Sequence, residues 1–155
     1  MTKFMKISIL LLAILSLSLS FQTVSAGSQV LTDVKVIHAS TGRGGTGEQS
    51  DSSLKGIIKE LQSVFKYTSY RLLEDKRFNL DFNQQGLVNL PGSRTLLIVP
   101  SDTDGNRIRY QINIEKNYHS IFQTQVMLKN NSSLTIGGPE LDNGVLLINI
   151  SGTLQ

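Results

Sequence analysis

Arg107-Ile-Arg-Tyr-Gln-Ile-Asn-Ile-Glu115 is the stretch on which the fold turns. Ile108, Tyr110, Ile112 and Ile114 alternate with polar side chains, the period-two pattern of a strand with one buried and one wet face. Directly before it stands Asp104-Gly105, a dipeptide that favours a tight hairpin because glycine takes a left-handed backbone without steric cost. The same rhythm recurs in both directions. Upstream, Thr95–Val99 follows a Pro91-Gly92 turn, and Tyr67–Glu74 and Arg77–Phe82 read as two further strands. Downstream come Ile121–Leu128, after a turn centred on Asn117, then Leu134–Ile136, then Val145–Ile150 behind Asn143-Gly144. Parallel strands need crossovers of a dozen or more residues, and these gaps are shorter. The ladder is therefore antiparallel.

Nearer the N-terminus, Gln29–Ser40 is a first strand, with Val30, Thr32, Val34, Val36 and His38 on one face and Asp33 and Lys35 on the other. Residues 41–53 are rich in glycine and serine, lack any period and read as a flexible loop. Leu54–Phe65 is the one helical pattern, with Leu54, Ile57, Ile58, Leu61, Val64 and Phe65 on a single stripe and Lys55, Lys59, Glu60 and Gln62 opposite. Asp51 or a neighbouring serine caps its start. So one-sided a helix must lie on a sheet, and the expectation is that it roofs the inner face of the hairpin ladder. The fold class that follows is α+β, a mostly antiparallel meander or sandwich with one amphipathic helix packed on the sheet.

Residues 1–26 read as a cleavable signal peptide. Lys3 and Lys6 precede an apolar run from Ile7 to Phe21, and Val24-Ser25-Ala26 puts small residues ahead of Gly27. The run is serine-diluted and short of the roughly 20 apolar residues of a membrane span, so the mature form is expected to have no membrane span. That leaves 27–155 as a single β-rich domain, exported to the periplasm or secreted. The chain has 15 Lys+Arg and 12 Asp+Glu, a net charge of +3; Lys3 and Lys6 leave with the leader, so the balance falls to +1. A surface that close to neutral offers nucleic acid no electrostatic footprint. With no cysteine, disulfides, thiolate metal sites, a cysteine nucleophile and a lipid-anchored cysteine are excluded. Packing alone must hold the domain.

Four groups of residues invite a chemical reading. Gly42-Arg-Gly44-Gly-Thr-Gly47 spells G-x-G-x-x-G between a strand and a helix. In a dinucleotide-binding turn the third glycine lies inside the helix, where strand, helix and pyrophosphate meet closely; here polar residues separate Gly47 from the amphipathic segment, and a mobile loop is the better reading. Asp102-Thr-Asp104-Gly-Asn106 has its glycine at position 4 and Asn113 at position 12, not the glycine at 6 and glutamate at 12 of a calcium loop, so a hairpin turn is expected. His38 and His119 are the only histidines, and no spacing brings either beside a serine and an acid or other ligands. Phe65, Tyr67 and Tyr70, interleaved with Lys66 and Arg71, form an aromatic cluster at the helix–strand junction, where core is the favoured reading and a binding patch the other. No catalytic residue, metal site or cofactor is expected.

Two blocks carry a resemblance. Leu61-Gln-Ser-Val-Phe-Lys-Tyr-Thr-Ser-Tyr-Arg-Leu-Leu73 resembles a block in small uncharacterised secreted bacterial proteins of similar length. Leu96-Leu-Ile-Val-Pro100, the Asp104-Gly105 turn and Thr124-Gln-Val-Met-Leu-Lys-Asn-Asn-Ser-Ser-Leu-Thr-Ile-Gly-Gly138 are similar to the β-domain pattern of secretins, the outer-membrane pores of secretion and pilus systems. The chain is far too short for a secretin, so the likeness implies an envelope location alone and lends no site residue.

Taken together, the residues point to an exported, non-catalytic binding or accessory module of the bacterial envelope, set among secretion or pilus systems by the second likeness. Its partner is expected to be an envelope protein engaged through an edge strand, with Tyr67, Tyr70, Arg71, Val145 and Leu147 as the candidate contacts. The alternative is a small periplasmic hydrolase using His38 or His119.

Overall fold

A computed structural model describes residues 28–41 and 51–155. Eight strands make up most of it: β1 (Gln29–Ser40), β2 (Ser69–Asp81), β3 (Gly86–Leu90), β4 (Arg94–Asp104), β5 (Arg107–Lys116), β6 (His119–Lys129), β7 (Ser132–Leu141) and β8 (Gly144–Leu154). Between β1 and β2 lie a 3-10 turn (Ser52–Leu54) and one short helix, α1 (Ile58–Val64). The signal-peptide reading of 1–26 and the glycine motif 42–47 fall outside the described residues.

The strands form two four-stranded sheets, in the orders β2-β1-β8-β7 and β3-β4-β5-β6. Every pairing is antiparallel. The chain meanders through β1 and β2, crosses to the second sheet for β3 to β6, and returns for β7 and β8, which closes against β1. The α+β expectation of an antiparallel meander or sandwich with a helix on the sheet holds.

Local chemistry explains the hairpins. Gly105 takes φ 58° at the first position of the two-residue β4–β5 turn, and Asn117 and Tyr118 take 51° and 63° between β5 and β6. A two-residue hairpin whose central residues are both left-handed matches the right-handed twist of its strands. The alternating residues face inward as expected: Val30, Val34, Val36, Leu96, Ile98, Ile108, Ile112, Ile114, Leu146, Ile148 and Ile150 form one buried cluster between the sheets. Thr32 joins them because its hydroxyl meets the Tyr110 hydroxyl at 2.9 Å across the sandwich. A Cβ on Gly152 would stand 2.5 Å from that phenol oxygen, so only glycine admits the ring there.

Several expected boundaries move. Tyr67–Glu74 and Arg77–Phe82 are one strand, β2, because the charged run between them sits on a sheet edge and pairs across it. Lys35 reaches Asp75 at 2.6 Å and Arg77 pairs with Asp33. A register shift opposite Val36/Ile37 absorbs Leu73. β3 is an additional strand too short to show a period. β4 continues through Pro100 because β3 ends its pairing at Ile98; beyond that point no ladder partner on that side needs the missing N–H.

The helix differs most. The expected Leu54–Phe65 segment is a 3-10 turn and a seven-residue helix, with Lys55, Gly56 and Ile57 between them. Asp51 caps the 3-10 turn, accepting from the Ser53 N–H at 3.0 Å. Ser52 and Ser53, read as loop, belong to that turn. Val64, expected on the apolar stripe, is 66% exposed. α1 does not roof the inner face of the ladder either. The two sheets bury each other's inner faces, and the helix segment covers the outer face of β1, β2 and β8 instead. There Leu54 and Leu61 pack with Ile37, Ala39, Tyr70 and Leu147, with Ile57, Ile58, Phe65, Tyr67, Leu72 and Val145 around them.

Candidate functional site

The five residues expected to contact a partner lie on or beside that covered face. Tyr70 is fully buried, and its hydroxyl donates to the Phe65 carbonyl at 2.8 Å and also lies 3.2 Å from that of Leu61. The Phe65 carbonyl stands at the C-cap of α1, beyond the last intrahelical donor, whereas that of Leu61 already accepts from the Phe65 N–H at 2.8 Å. Tyr70 therefore ties the helix end to the sheet, and burial raises its phenol above the ordinary tyrosine value. Tyr67 is half-buried in the same cluster, and Arg71 is exposed on β2. Leu147 is fully buried and Val145 half-buried beneath the helix segment. The strand that carries Val145 and Leu147 is not an edge: β8 is hydrogen-bonded to β1 on one side and β7 on the other. The first and last strands close the meander against each other, which consumes both.

The histidines also find bland partners. His38 Nε2 donates to the Leu141 carbonyl at 3.2 Å, and His119 Nδ1 to that of Asn117 at 2.8 Å in an exposed turn. A carbonyl only accepts, so each of these ring nitrogens carries hydrogen. Asp102 pairs with Arg109 at 3.3 Å beside the β4–β5 hairpin. Among the described residues, no three His, Asp or Glu side chains converge as a metal site would require.

A groove of about 550 Å³ opens instead on the outer face of the second sheet, at the end that carries the β3–β4 and β5–β6 turns. Its floor follows from the register. Asn89, Thr95 and Glu115 lie side by side across β3, β4 and β5, with Leu87 and Leu97 in the row beside them. Leu87 is 57% exposed, and Tyr118, on the wall, is 98% exposed.

The surroundings hold these groups in place. Arg94 Nε donates to the Pro91 carbonyl at 2.7 Å and Nη1 to the Glu140 carbonyl at 3.0 Å, pinning the β3–β4 turn to the other sheet. Ser120 Oγ donates to Asn113 Oδ1 at 2.5 Å, and Asn113 Nδ2 donates to Glu115 Oε1 at 3.0 Å, so the carboxylate is oriented by a short chain of side chains. Ser93 (φ 55°) and Tyr118 (φ 63°) both sit in the left-handed region. An aromatic residue there costs about 1–2 kcal/mol where glycine or asparagine would cost less, and the two-residue hairpin imposes it.

Sequence reasoning missed this groove. Its available signals were Leu87 and Leu97, apolar residues at outward positions, and an aromatic residue beside Asn117 in a tight turn. Comparison of the chain with protein families, curated proteins and solved structures finds no match.

Proposed function

We propose that this protein is an exported, non-catalytic binding module, an accessory to a bacterial envelope assembly, and that it takes an extended polypeptide segment at the groove beside β3. The observation that carries the reading is the pairing of Leu87 and Tyr118, two large apolar side chains held in water at either side of a groove floored by Asn89, Thr95 and Glu115. Apolar anchors beside a few oriented polar groups are what a specific binding surface needs. An extended segment laid along the short edge strand β3 would gain main-chain hydrogen bonds, and a side chain dropped between Leu87 and Tyr118 would supply selectivity. The leader pattern of residues 1–26 supports the envelope setting. Neither histidine's partner favours the hydrolase alternative.

The test is a pull-down from periplasm with tagged protein, comparing the natural chain with Leu87→Ala/Tyr118→Ala. Both positions are exposed, so the double variant keeps its fold. The natural chain is expected to retain an envelope polypeptide that the variant loses, and to leave the cell with Gly27 as its first residue by mass spectrometry. Recovery of no envelope protein, or of the same proteins by both forms, would sink the reading.

A further inference from the structure

Two four-stranded sheets have four edge strands, here β2, β7, β3 and β6. An open edge is a template for pairing with another chain, and proteins blunt it with charge, proline, bulges or brevity. β2 carries Arg71, Glu74, Asp75, Lys76 and Arg77. β7 carries Gly137-Gly138-Pro139 within a register shift. β3 is only five residues long, and its edge is the one that the proposed partner segment takes. β6 is eleven residues long, and from Phe122 to Leu128 it has no charge, no proline and an unbroken register against β5. Its one irregularity lies at its start, around Ile121. Ile121 and Met127 are 47% and 37% exposed. Among the described residues, no ladder joins β6 to anything but β5.

The order of residues says what pairs there. A two-fold contact must be self-complementary, and Ile121-Phe-Gln-Thr-Gln-Val-Met127 reads the same chemically from either end. We propose that the protein dimerises by antiparallel pairing of β6 with β6 of a second copy, centred on Thr124. That register sets Thr124 against its own copy, Gln123 against Gln125 and Phe122 against Val126, and leaves the bulged Ile121 and Met127 at the ends of the regular pairing. Threonine pairs and aromatic–β-branched pairs are favourable cross-strand neighbours, and facing glutamines each carry both a donor and an acceptor for the other. Phe122 and Val126 are half-buried at the rim of the core, and the second copy completes their burial. The two second sheets join into one eight-stranded sheet. Lys129 meets His119 at the ends of the pairing, in water.

Because the chain has no cysteine, a single introduced one reports the axis. Across an antiparallel pair, Cα atoms lie about 4.5–5.5 Å apart, within disulfide reach. Thr124→Cys is expected to give a covalent dimer on mild oxidation, while Gln111→Cys, exposed on the neighbouring strand, stays monomeric. In sedimentation over the micromolar range the natural chain is expected to dimerise. Gln123→Lys with Gln125→Lys sets like charges against each other twice and should weaken association at least about tenfold, whereas Gln123→Lys with Gln125→Glu restores it. Both positions are exposed, so far-UV circular dichroism should stay unchanged. A monomer throughout that range, equal cross-linking of the two cysteine variants, equal behaviour of the two charge pairs, or a monomer whose β6 edge takes up a foreign strand would each overturn the proposal.

Discussion

The outer face of the β2-β1-β8-β7 sheet and that of the β3-β4-β5-β6 sheet share one ladder geometry and end differently. On the first, Ile37, Ala39, Tyr70, Leu72 and Leu147 point outward and disappear beneath Leu54, Leu61 and Phe65. On the second, outward positions hold Asn89, Thr95, Gln111, Asn113, Gln123 and Gln125, and no other described element lies over them. Connection length permits the difference. Residues 41–68 join β1 to β2 and have room for a helix, whereas the turns after β3, β4 and β5 are three, two and two residues long. A sheet's outer face here is largely apolar where the chain covers it and largely polar where it does not. Leu87, Leu97 and Met127 break that rule on the uncovered face, and it is Leu87 and Leu97, beside the exposed Tyr118 of the β5–β6 turn, that mark the candidate site.

Substitutions on the covered face should have the largest effect. Leu61→Ala or Tyr70→Ala removes a fully buried side chain and is expected to cost about 2–5 kcal/mol, read from the shift in urea midpoint by circular dichroism. A loss under about 1 kcal/mol would mean that the helix is not part of the cooperative core. Tyr70→Phe keeps the ring and deletes the hydroxyl that serves the Leu61 and Phe65 carbonyls, and should cost about 1 kcal/mol.

Tyr70 also makes the stability of the covered face depend on pH. Burial raises the phenols of Tyr70 and Tyr110 above the ordinary value, so the folded chain holds both protons more tightly than the unfolded one. Stability from these groups is complete below about pH 10 and falls as pH rises beyond it, because the unfolded state ionises first. Urea midpoints between about pH 8 and 11 should show that decline, and Tyr70→Phe should make it shallower. Midpoints that rise over the same interval would contradict the burial of both phenols.

Changes on the uncovered face should have the smallest effect. Leu87→Ser is expected to stay within about 0.5 kcal/mol of the natural chain. Tyr118→Gly should be neutral or slightly stabilising, since glycine removes the left-handed strain at φ 63°. A loss of about 2 kcal/mol from either, well outside the surface range, would show that this face is covered in solution.

Much of the ladder was legible, and the physical reason is local. Period-two alternation exposes a half-buried strand in its own residues, as in Arg107–Glu115, and left-handed turn residues such as Gly105 and Asn117 announce their hairpins. β3 was not legible because five residues hold too few alternations. β2 read as two strands because its charged middle hides a continuous backbone ladder. The helix was legible as an apolar stripe, but its target was not. Val145-Leu-Leu-Ile-Asn-Ile150 did carry a clue, since a near-continuous apolar run belongs to a strand buried on both faces, at odds with an edge.

By its own pattern, the sequence determined which side chains turn inward, where the chain reverses, and that the strands run antiparallel. These are properties of neighbouring residues, set by the pleat and by backbone sterics. Only the tertiary structure decided that β8 closes on β1, that α1 covers an outer face, that β6 is left at an edge, and that Leu87 and Tyr118 flank one groove. Each of those depends on which distant segments bury each other most completely, and no segment encodes that in its own residues alone.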